Sequence, residues 1–528
     1  MISKFEEINL VDTGLLPPLV SDYLKGEERL TPLYKYKPAL ASFGQVIADK
    51  KNDAIDRDLL VQVLNEQYAN MATTAQVTAN INALAEPTTF TVVAAHQPCL
   101  FLGPLYNVIK IACAVNLTRQ LAATYPGYKF VPVFWLGSED HDIEELNHVT
   151  IGGKLYVWKE PVNGAVGRID SAVIKELLPD LMEQLGTAHP VVGMLQNGLE
   201  QFNTFGSFTQ YLANELFKEE GLVVLDQDHP KFKQRFTQVI TDELLHSRAS
   251  SLLQHNVAFL EQHYKAQAKP RDINFFYLGE GFRERIIKNE SGYSIINRGI
   301  QFSKEEIVSE IAQNPERFSP NVILRPLYQE MLLPNLAFVG GAGELSYWLE
   351  LKPVMDYYKV NFPMLVMRNS AFIVPANFTG KLQKAELSLL QLMGDTEKLL
   401  AQRAKEKAGN DISLTEEKKA VEALFESIVA KAEATDATLK QSALGEKQKA
   451  LNALETLEGK MLKAEKRKLE TFQNQVQALK STLFPSGNLQ ERVEGFVAFY
   501  EPDFIATLAQ QLTPLDFSLK AFVQNAAL

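Results

Sequence analysis

The chain has 528 residues, 46% of them hydrophobic and 22% charged, with a formal net charge of −11. That length exceeds what one hydrophobic core serves, so two or three domains are expected, with ample apolar material for a large core. The acidic balance argues against nucleic acid as a partner, while leaving room for a local basic pocket that takes a small anion. The opening residues Met1–Glu7 lack the apolar run of a secretory signal, and no window approaches the roughly 18 apolar residues of a membrane span. Only two cysteines occur, Cys99 and Cys113. A cytoplasmic protein is expected, with no membrane partner, no disulfide scaffold and no thiolate zinc site, both cysteines reading as small core residues.

In chain order, Thr89–Ala95 is rich in Val, Thr and Phe and predicts a buried strand. A Gly/Pro-bearing loop, His96 to Pro104, leads into a helix-compatible run from Leu105 to Ala123. A second strand is predicted over Lys129–Leu136, ending in Gly137-Ser138-Glu139-Asp140-His141-Asp142. Strand, helix, strand is a βαβ unit, and in such sheets ligands collect beyond the carboxyl ends of the strands, where both polar loops fall. Further strands are predicted at Gly221–Leu225 and Phe362–Met367, with helices near Gln201–Glu219 and Phe232–Leu245. Asn274–Ile296 alternates and carries three glycines, as a small β-rich insertion would.

After Pro375 no proline occurs until Pro485, and Ala, Leu, Glu and Lys dominate. Leu444, Leu451, Leu454 and Met461 lie on a heptad seam, followed by Leu469, Phe472, Val476, Leu479 and Leu483 at spacings of three and four. Ser413-Leu414-Thr415-Glu416 fits a capping box, Asp436 can cap a second helix, and Gly409-Asn410-Asp411 breaks the first run. A helical hairpin folding back on itself is expected, its arms reaching roughly 70 Å if unbroken over about 45 residues.

Four constellations can carry chemistry. The His96–Pro104 loop would leave helix N-terminal N–H groups for an anion, with Lys110 adding charge, although an ordinary strand–helix connection reads equally well. Neither a GxGxxG nor a GxxxxGK[ST] pattern is present. Glu139-Asp140-His141-Asp142, with Asn147 and His148 a few residues on, sets three carboxylates and two imidazoles just past a strand, for acid–base work, to hold a divalent metal, or as a solvated acidic turn; the absence of HExxH spacing weighs against the metal. Ser319 to Glu330 offers Asn321 and the planar fork of Arg325, then Gly340-Gly341-Ala342-Gly343-Glu344 lets backbone approach a ligand, with Tyr347 and Trp348 to cover an apolar or sugar face. Phe484 to Arg492 closes the helical arm, and Gln490, Glu491 and Arg492 can pin the tail to the core.

Taken together, these stretches resemble the bacillithiol biosynthesis cysteine-adding enzyme family. The resemblance rests on Gln97 with Gly103-Pro104-Leu105-Tyr106, Pro132-Val133-Phe134-Trp135 with Glu139-Asp140-His141-Asp142, and Gly167-Arg168-Ile169. It continues through Ser319-Pro320-Asn321, Arg325-Pro326, Gln329-Glu330, Gly340-Gly341, Gly343-Glu344, Tyr347-Trp348 and Phe484 to Arg492, in order over most of the chain. His96 stands where many relatives have glutamine, and Ala342 where proline is common.

The resemblance implies an α/β fold: a Rossmann-like core over 1–375 with insertions near 150–220 and 250–320, a long antiparallel coiled coil over 376–483, and a segment 484–528 returning to the core. It further implies a homodimer joined through the coiled coil, and a ligase adding L-cysteine to glucosaminyl-malate by an amide bond, with ATP or another nucleotide activating the carboxylate. On that reading Asp140, His141 and Glu139 are catalytic, and Gln97, Gly103, Asp142, Asn321, Arg325, Glu344, Tyr347 and Trp348 bind substrate. His96, Pro104, Lys110, Gly340, Gly341 and Gly343 would then bind the nucleotide. A nucleotide-binding coiled-coil scaffold without catalysis is the alternative.

Overall fold

The computed structural model describes residues 2–159, 163–408 and 413–524, with side chains at 405, 407, 408 and 465–468 left out. The chain divides into two units, Met1–Pro375 with Asn488–Leu528, and Ala376–Gly487.

Fifteen strands occur among the described residues. They are β1 (Ile2–Asn9), β2 (Thr89–His96), β3 (Lys129–Leu136), β4 (His148–Ile151), β5 (Lys154–Val157), β6 (Val223–Asp226), β7 (Phe275–Gly279) and β8 (Phe282–Asn289). The series continues with β9 (Gly292–Ile295), β10 (Gln301–Phe302), β11 (Phe318–Pro320), β12 (Asn335–Gly340), β13 (Met364–Met367), β14 (Ser370–Pro375) and β15 (Ser518–Gln524).

Five of these build the centre of the first unit in the order β13-β12-β2-β3-β6, every neighbouring pair parallel. Their runs of Val, Phe, Leu and Ala are buried on both faces, as a parallel sheet covered by helices requires. From β2 the chain steps outward to β3 and β6, then crosses back to lay β12 and β13 on the other side of β2. This is a doubly wound order, and its crevice lies where the direction reverses, between β2 and β12. The helix Tyr106–Thr124 joins β2 to β3 and is buried over most of its length.

Two insertions decorate the core. Between β3 and β6 lies the β4–β5 hairpin, followed by helices that include Pro190–Gln201 and Phe205–Phe217. Between β6 and β12 come the helices Pro230–His246 and Arg248–His263 and a second sheet, β10-β9-β8-β7-β11, antiparallel throughout. The alternation across Asn274–Ile296 thus resolves into β7, β8 and β9.

A third sheet, β1-β15-β14, joins the two ends of the chain to the strand that follows β13. Next to it, Gln490 bonds both the N–H and the carbonyl of Ile373, and Glu491 accepts from Ala371 N–H at 2.8 Å and from Arg368 at 2.7 Å. Gln490 and Glu491 therefore do pin the tail, with the Arg368–Glu491 pair fully enclosed.

In the second unit, Thr415–Thr435 and Leu439–Lys468 run antiparallel, tied by Lys418–Glu458 at one end and Lys440–Glu433 at the other. The capping box expected at Ser413 does not form: the Ser413 hydroxyl pairs with that of Thr415, and Leu414 N–H donates to Glu458 of the returning helix. Asp436 accepts from Thr438 N–H just before the second helix starts. The break at Gly409-Asn410-Asp411 lies outside the described residues.

The apolar seam also divides. Leu451, Leu454 and Met461 are half-buried and Leu444 is exposed, while Phe472, Val476, Leu479 and Leu483 are buried on a separate helix, Glu470–Leu483. The eleven-residue step from Met461 to Phe472 spans a real break at Leu469, after which the chain packs on the short helices Phe378–Lys384 and Leu389–Met393. The longest helix among the described residues, 30 residues, therefore reaches about 45 Å rather than 70 Å.

Removing one partner of an enclosed ion pair leaves a bare buried charge. Glu491→Ala should cost roughly 3–5 kcal/mol in urea unfolding, whereas Glu446→Ala, which breaks an exposed pair with Lys449, should cost less than about 1 kcal/mol.

Candidate functional site

The carboxyl ends of all five parallel strands open onto one cavity of about 770 Å³, within the roughly 300–1,000 Å³ of small-molecule sites. His96 and Gln97 follow β2, Asp140 to Asp142 follow β3, Gln227 follows β6, Gly341 to Glu344 follow β12 and Arg368 follows β13; all reach its wall. The second insertion contributes Phe276, Arg283, Asn321 and Arg325, and the returning tail contributes Arg492.

The loops after β2 and β3 leave the sheet side by side because His96 pairs with Leu136 in register. Gln97 Nε2 then donates to Asp140 Oδ2 at 2.9 Å. Gly167 N–H and Val166 N–H hold the β3 loop through the carbonyls of Ser138 and Asp140, and a side chain on Gly167 would collide with Ser138, its Cβ lying 2.4 Å away. The Asp140 carboxyl resists burial: hydrogen bonds from the His141 backbone N–H and Gln97 and the charge of Arg283 hold it well below the usual carboxylate range. It is an anion at neutral pH and a weak base.

Glu139 turns the other way. It is fully buried and ion-paired with Lys233, and its second oxygen accepts from Ser319 at 2.9 Å and Gln227 at 3.1 Å, so it does not line the cavity. Its place is beneath the floor, fastening the first strand pair to the second insertion.

Lys110 is likewise spent beneath the floor, on the Ala95 carbonyl at 2.7 Å and Glu344 at 2.8 Å. Despite burial, Lys110 and the Gly341 N–H keep Glu344 below its ordinary value, as a carboxylate on the wall. His96 reaches the wall with its ring engaged: Nδ1 donates to Gln97 O at 3.1 Å, Nε2 accepts from Tyr106, and burial pushes its pKa down to about 4.

Among the described residues Arg325 bonds Gln329 and Tyr347 alone, and neither it nor Arg271 or Arg492 has an acidic side-chain partner, so three guanidinium groups face the cavity without a paired carboxylate. Opposite in sign, Asp142 and Glu145 line it with Asp140.

Of the residues singled out in the sequence, Asp140, His141, Asp142, Gln97, His96, Asn321, Arg325, Glu344, Tyr347, Gly341 and Gly343 share this cavity. Glu139, Lys110, Gly103, Pro104, Gly340 and Trp348 do not. Gly103 serves a turn at φ +65°, and Trp348 packs in the core on Phe338 at 4.5 Å. At the start of the helix at Tyr106, the Leu105 N–H is taken by the Glu494 carbonyl and the Asn107 N–H by that of Pro104. Cys99 and Cys113 are buried, which pushes both thiols up to about 12. No cluster of three His, Cys, Asp or Glu with metal-binding geometry occurs among the described residues.

Sequence reasoning missed Arg283, Arg368, Phe276, Lys269 and Arg271. Arg283 sits in a charged alternating strand, FRERIIKN, where it reads as one more solvated residue. The segment carrying Lys269 and Arg271 is latched by Glu350, a buried carboxyl whose Oε1 accepts from Gln267 N–H at 2.7 Å and Ala268 N–H at 3.1 Å, while Oε2 has no partner among the described residues.

Burial raises the Glu350 pKa to about 7, against the lowering effect of those two N–H groups. A carboxyl whose folded pKa is raised favours the fold while protonated. Its contribution is complete below the unfolded value near 4.3 and fades as pH rises through about 7. Glu350→Gln keeps the acceptor oxygen, so it should match wild type at pH 4 and exceed it by about 2–3 kcal/mol at pH 8, read from paired urea titrations.

Comparison with known proteins agrees with this architecture. The family model for the bacillithiol biosynthesis BshC N-terminal Rossmann-like domain matches residues 4–369, and that for the BshC C-terminal coiled-coil domain matches 371–522. Relatives named "Putative cysteine ligase BshC" include one from Flavobacterium johnsoniae, 36% identical over 97% of this chain and 98% of its own length. Another, from Cytophaga hutchinsonii, is 36% identical over 98% of both chains, and one from Bacillus cytotoxicus is 29% identical over 94% of this chain and 96% of its own. A Rossmann-like domain followed by a coiled-coil domain, matched along nearly the whole chain, makes this protein a member of the BshC family of bacillithiol biosynthesis.

Proposed function

We propose that the protein is the ligase that adds L-cysteine to glucosaminyl-malate, joining the cysteine carboxyl to the sugar amine in an amide bond. The observation that carries this reading is the division of charge in the cavity. Arg325, Arg271 and Arg492, without acidic partners among the described residues, suit carboxylates, and Asp140 and Asp142 suit an ammonium group. Tyr347, Phe276 and Val322 add faces for a sugar ring.

A carboxylate does not condense with an amine unaided, so activation by ATP or another nucleotide precedes attack. The three arginines fit a polyphosphate as well as they fit carboxylates, whereas Lys110, held by Glu344, is not free for that role. The amine lone pair forms the C–N bond, the carboxyl oxygen departs with its activating group, and the nitrogen releases its proton to solvent. Arg325 stabilises the charge that gathers on oxygen, Asp140 holds the amine, and Gln97 holds Asp140. Bringing both substrates into one enclosure removes translational freedom that would otherwise slow the reaction. The setting is the cytoplasm, where Cys99 and Cys113 stay reduced.

Purified protein given cysteine, glucosaminyl-malate and ATP should yield bacillithiol by mass spectrometry, and Arg325→Ala should raise KM for glucosaminyl-malate by roughly 10–100-fold. No product, together with tight nucleotide binding, would favour a scaffold role.

We further propose that two copies associate through the helical hairpin, whose Leu424, Ile428, Leu444 and Leu457 are exposed. Leu424→Glu with Ile428→Glu should halve the mass in sedimentation equilibrium, and an unchanged dimer mass would dismiss this contact.

A further inference from the structure

We infer that Arg283 is a positioning residue that fixes the ring hydrogen of His141 on Nε2, making His141 a hydrogen-bond donor to the reacting groups rather than a proton acceptor. The inference rests on the ligase reading of the cavity for its chemical consequence, but not for the tautomer itself.

Arg283 comes from β8 of the inserted antiparallel sheet and is nearly enclosed, its side chain 6% exposed. Three of its nitrogens are committed. Nε donates to Ser319 Oγ at 3.0 Å, Nη2 to the Pro320 carbonyl at 3.1 Å, and Nη1 lies 2.7 Å from His141 Nδ1 and, more distantly, 3.5 Å from Asp140 Oδ1. The guanidinium also stacks 4.0 Å over the Phe276 ring, and the His141 ring meets that same Phe276 edge-on at 5.2 Å. With two anchors and a stacking face, the group cannot turn away from His141 without losing each of them.

A guanidinium has donors only, so at 2.7 Å the Nδ1 atom must supply the lone pair, the Asp140 carboxylate at 3.6 Å being too far to hold a hydrogen there. In a neutral imidazole the hydrogen then sits on Nε2, and the ring lines the cavity with that N–H as its remaining polar group. The lone pair that would take a proton from the incoming amine is already engaged. His141 therefore offers Nε2–H to an oxygen of the acyl group, where negative charge gathers as the C–N bond forms. Asp140 keeps the complementary task of holding the amine, its Oδ2 fixed by Gln97 and its Oδ1 by the His141 backbone N–H. One buried arginine, delivered by an insertion, thus separates the roles of two adjacent side chains.

The test uses the full chain with ¹⁵N-labelled histidine and no substrate, the His141 signals being identified by their loss in His141→Gln. Wild type should show an unprotonated Nδ1 and a protonated Nε2. Arg283→Met should release the ring into a mixture of tautomers; an unchanged Nε2–H ring in that variant would remove Arg283 from the role. Should that variant fail to fold, the wild-type spectrum decides alone, and a hydrogen on Nδ1 there overturns the inference.

For the donor role, His141→Ala should lower kcat about 100-fold while His141→Gln, which retains an N–H donor, should recover most of that loss. A glutamine variant as slow as the alanine variant would overturn it. The ring signals need no substrate, so a wild-type protein that makes no bacillithiol but carries Nε2–H refutes the ligase reading and leaves the tautomer standing.

Discussion

A charged side chain taken from water must meet an opposite charge or a full set of hydrogen bonds, and the first unit is organised around groups that obey this constraint. Glu139, in the turn that follows β3, is buried and needs Lys233 from a helix beyond β6 and Ser319 from β11. Lys110, on the helix after β2, needs Glu344 from the first turn of the helix after β12. Arg368, after β13, needs Glu491 from a segment 123 residues further on. Each pair draws together pieces of chain that share no local signal. Removing one member strands the other in a low-dielectric interior, so these contacts specify which segments meet as well as adding stability.

The doubly wound order explains why so many polar loops share one wall. Parallel strands all discharge their carboxyl ends on the same side, and the reversal between β2 and β12 spreads the two flanking loops apart into a crevice. The insertion after β6 then covers that crevice. Its antiparallel sheet brings Phe276 and Arg283 to the residues following β3, and its last strand leads to Asn321 and Arg325. Scaffold and cover are thus different kinds of sheet. The parallel one sets the position of the floor, and the antiparallel one supplies groups that tune it.

Within that enclosure the charges are sorted rather than cancelled. Asp140 is kept ionised by donors on both oxygens, whereas Glu350, with no cation beside it, is pushed towards neutrality while holding two backbone N–H groups. The same physics, burial against hydrogen bonding, gives opposite outcomes because only one of the two carboxyls has an arginine in reach. The hairpin unit follows other rules. Its helix Thr415–Thr435 buries no residue, and its order within one chain rests on long helices, cross-pairs such as Lys418–Glu458, and half-buried alanines and leucines.

The sequence by itself determined the local elements: β3 is the Val/Phe/Trp run from Lys129 to Leu136, the helix at Tyr106 follows its glycine-proline loop, and the proline-free stretch after Pro375 is helical. Periodicity and turn residues are short-range properties, and they are legible without a fold. The ordered motifs also marked most of one wall, from Gln97 and Asp140 to Arg325 and Glu344. Which way a side chain points was decided only by tertiary structure. Glu139 and Asp140 are neighbours in sequence, yet one is buried against Lys233 and the other faces the cavity, because in the turn beyond β3 each carboxyl goes to the partners that the fold brings beside it, Lys233 and Ser319 for the one and Gln97 for the other. Trp348, Lys110 and Gly103 looked like binding residues and belong to the packing beneath. Arg283 carried no signal in the sequence and is buried on the cavity wall, since a charge in an alternating strand shows its burial only when other chain closes over it.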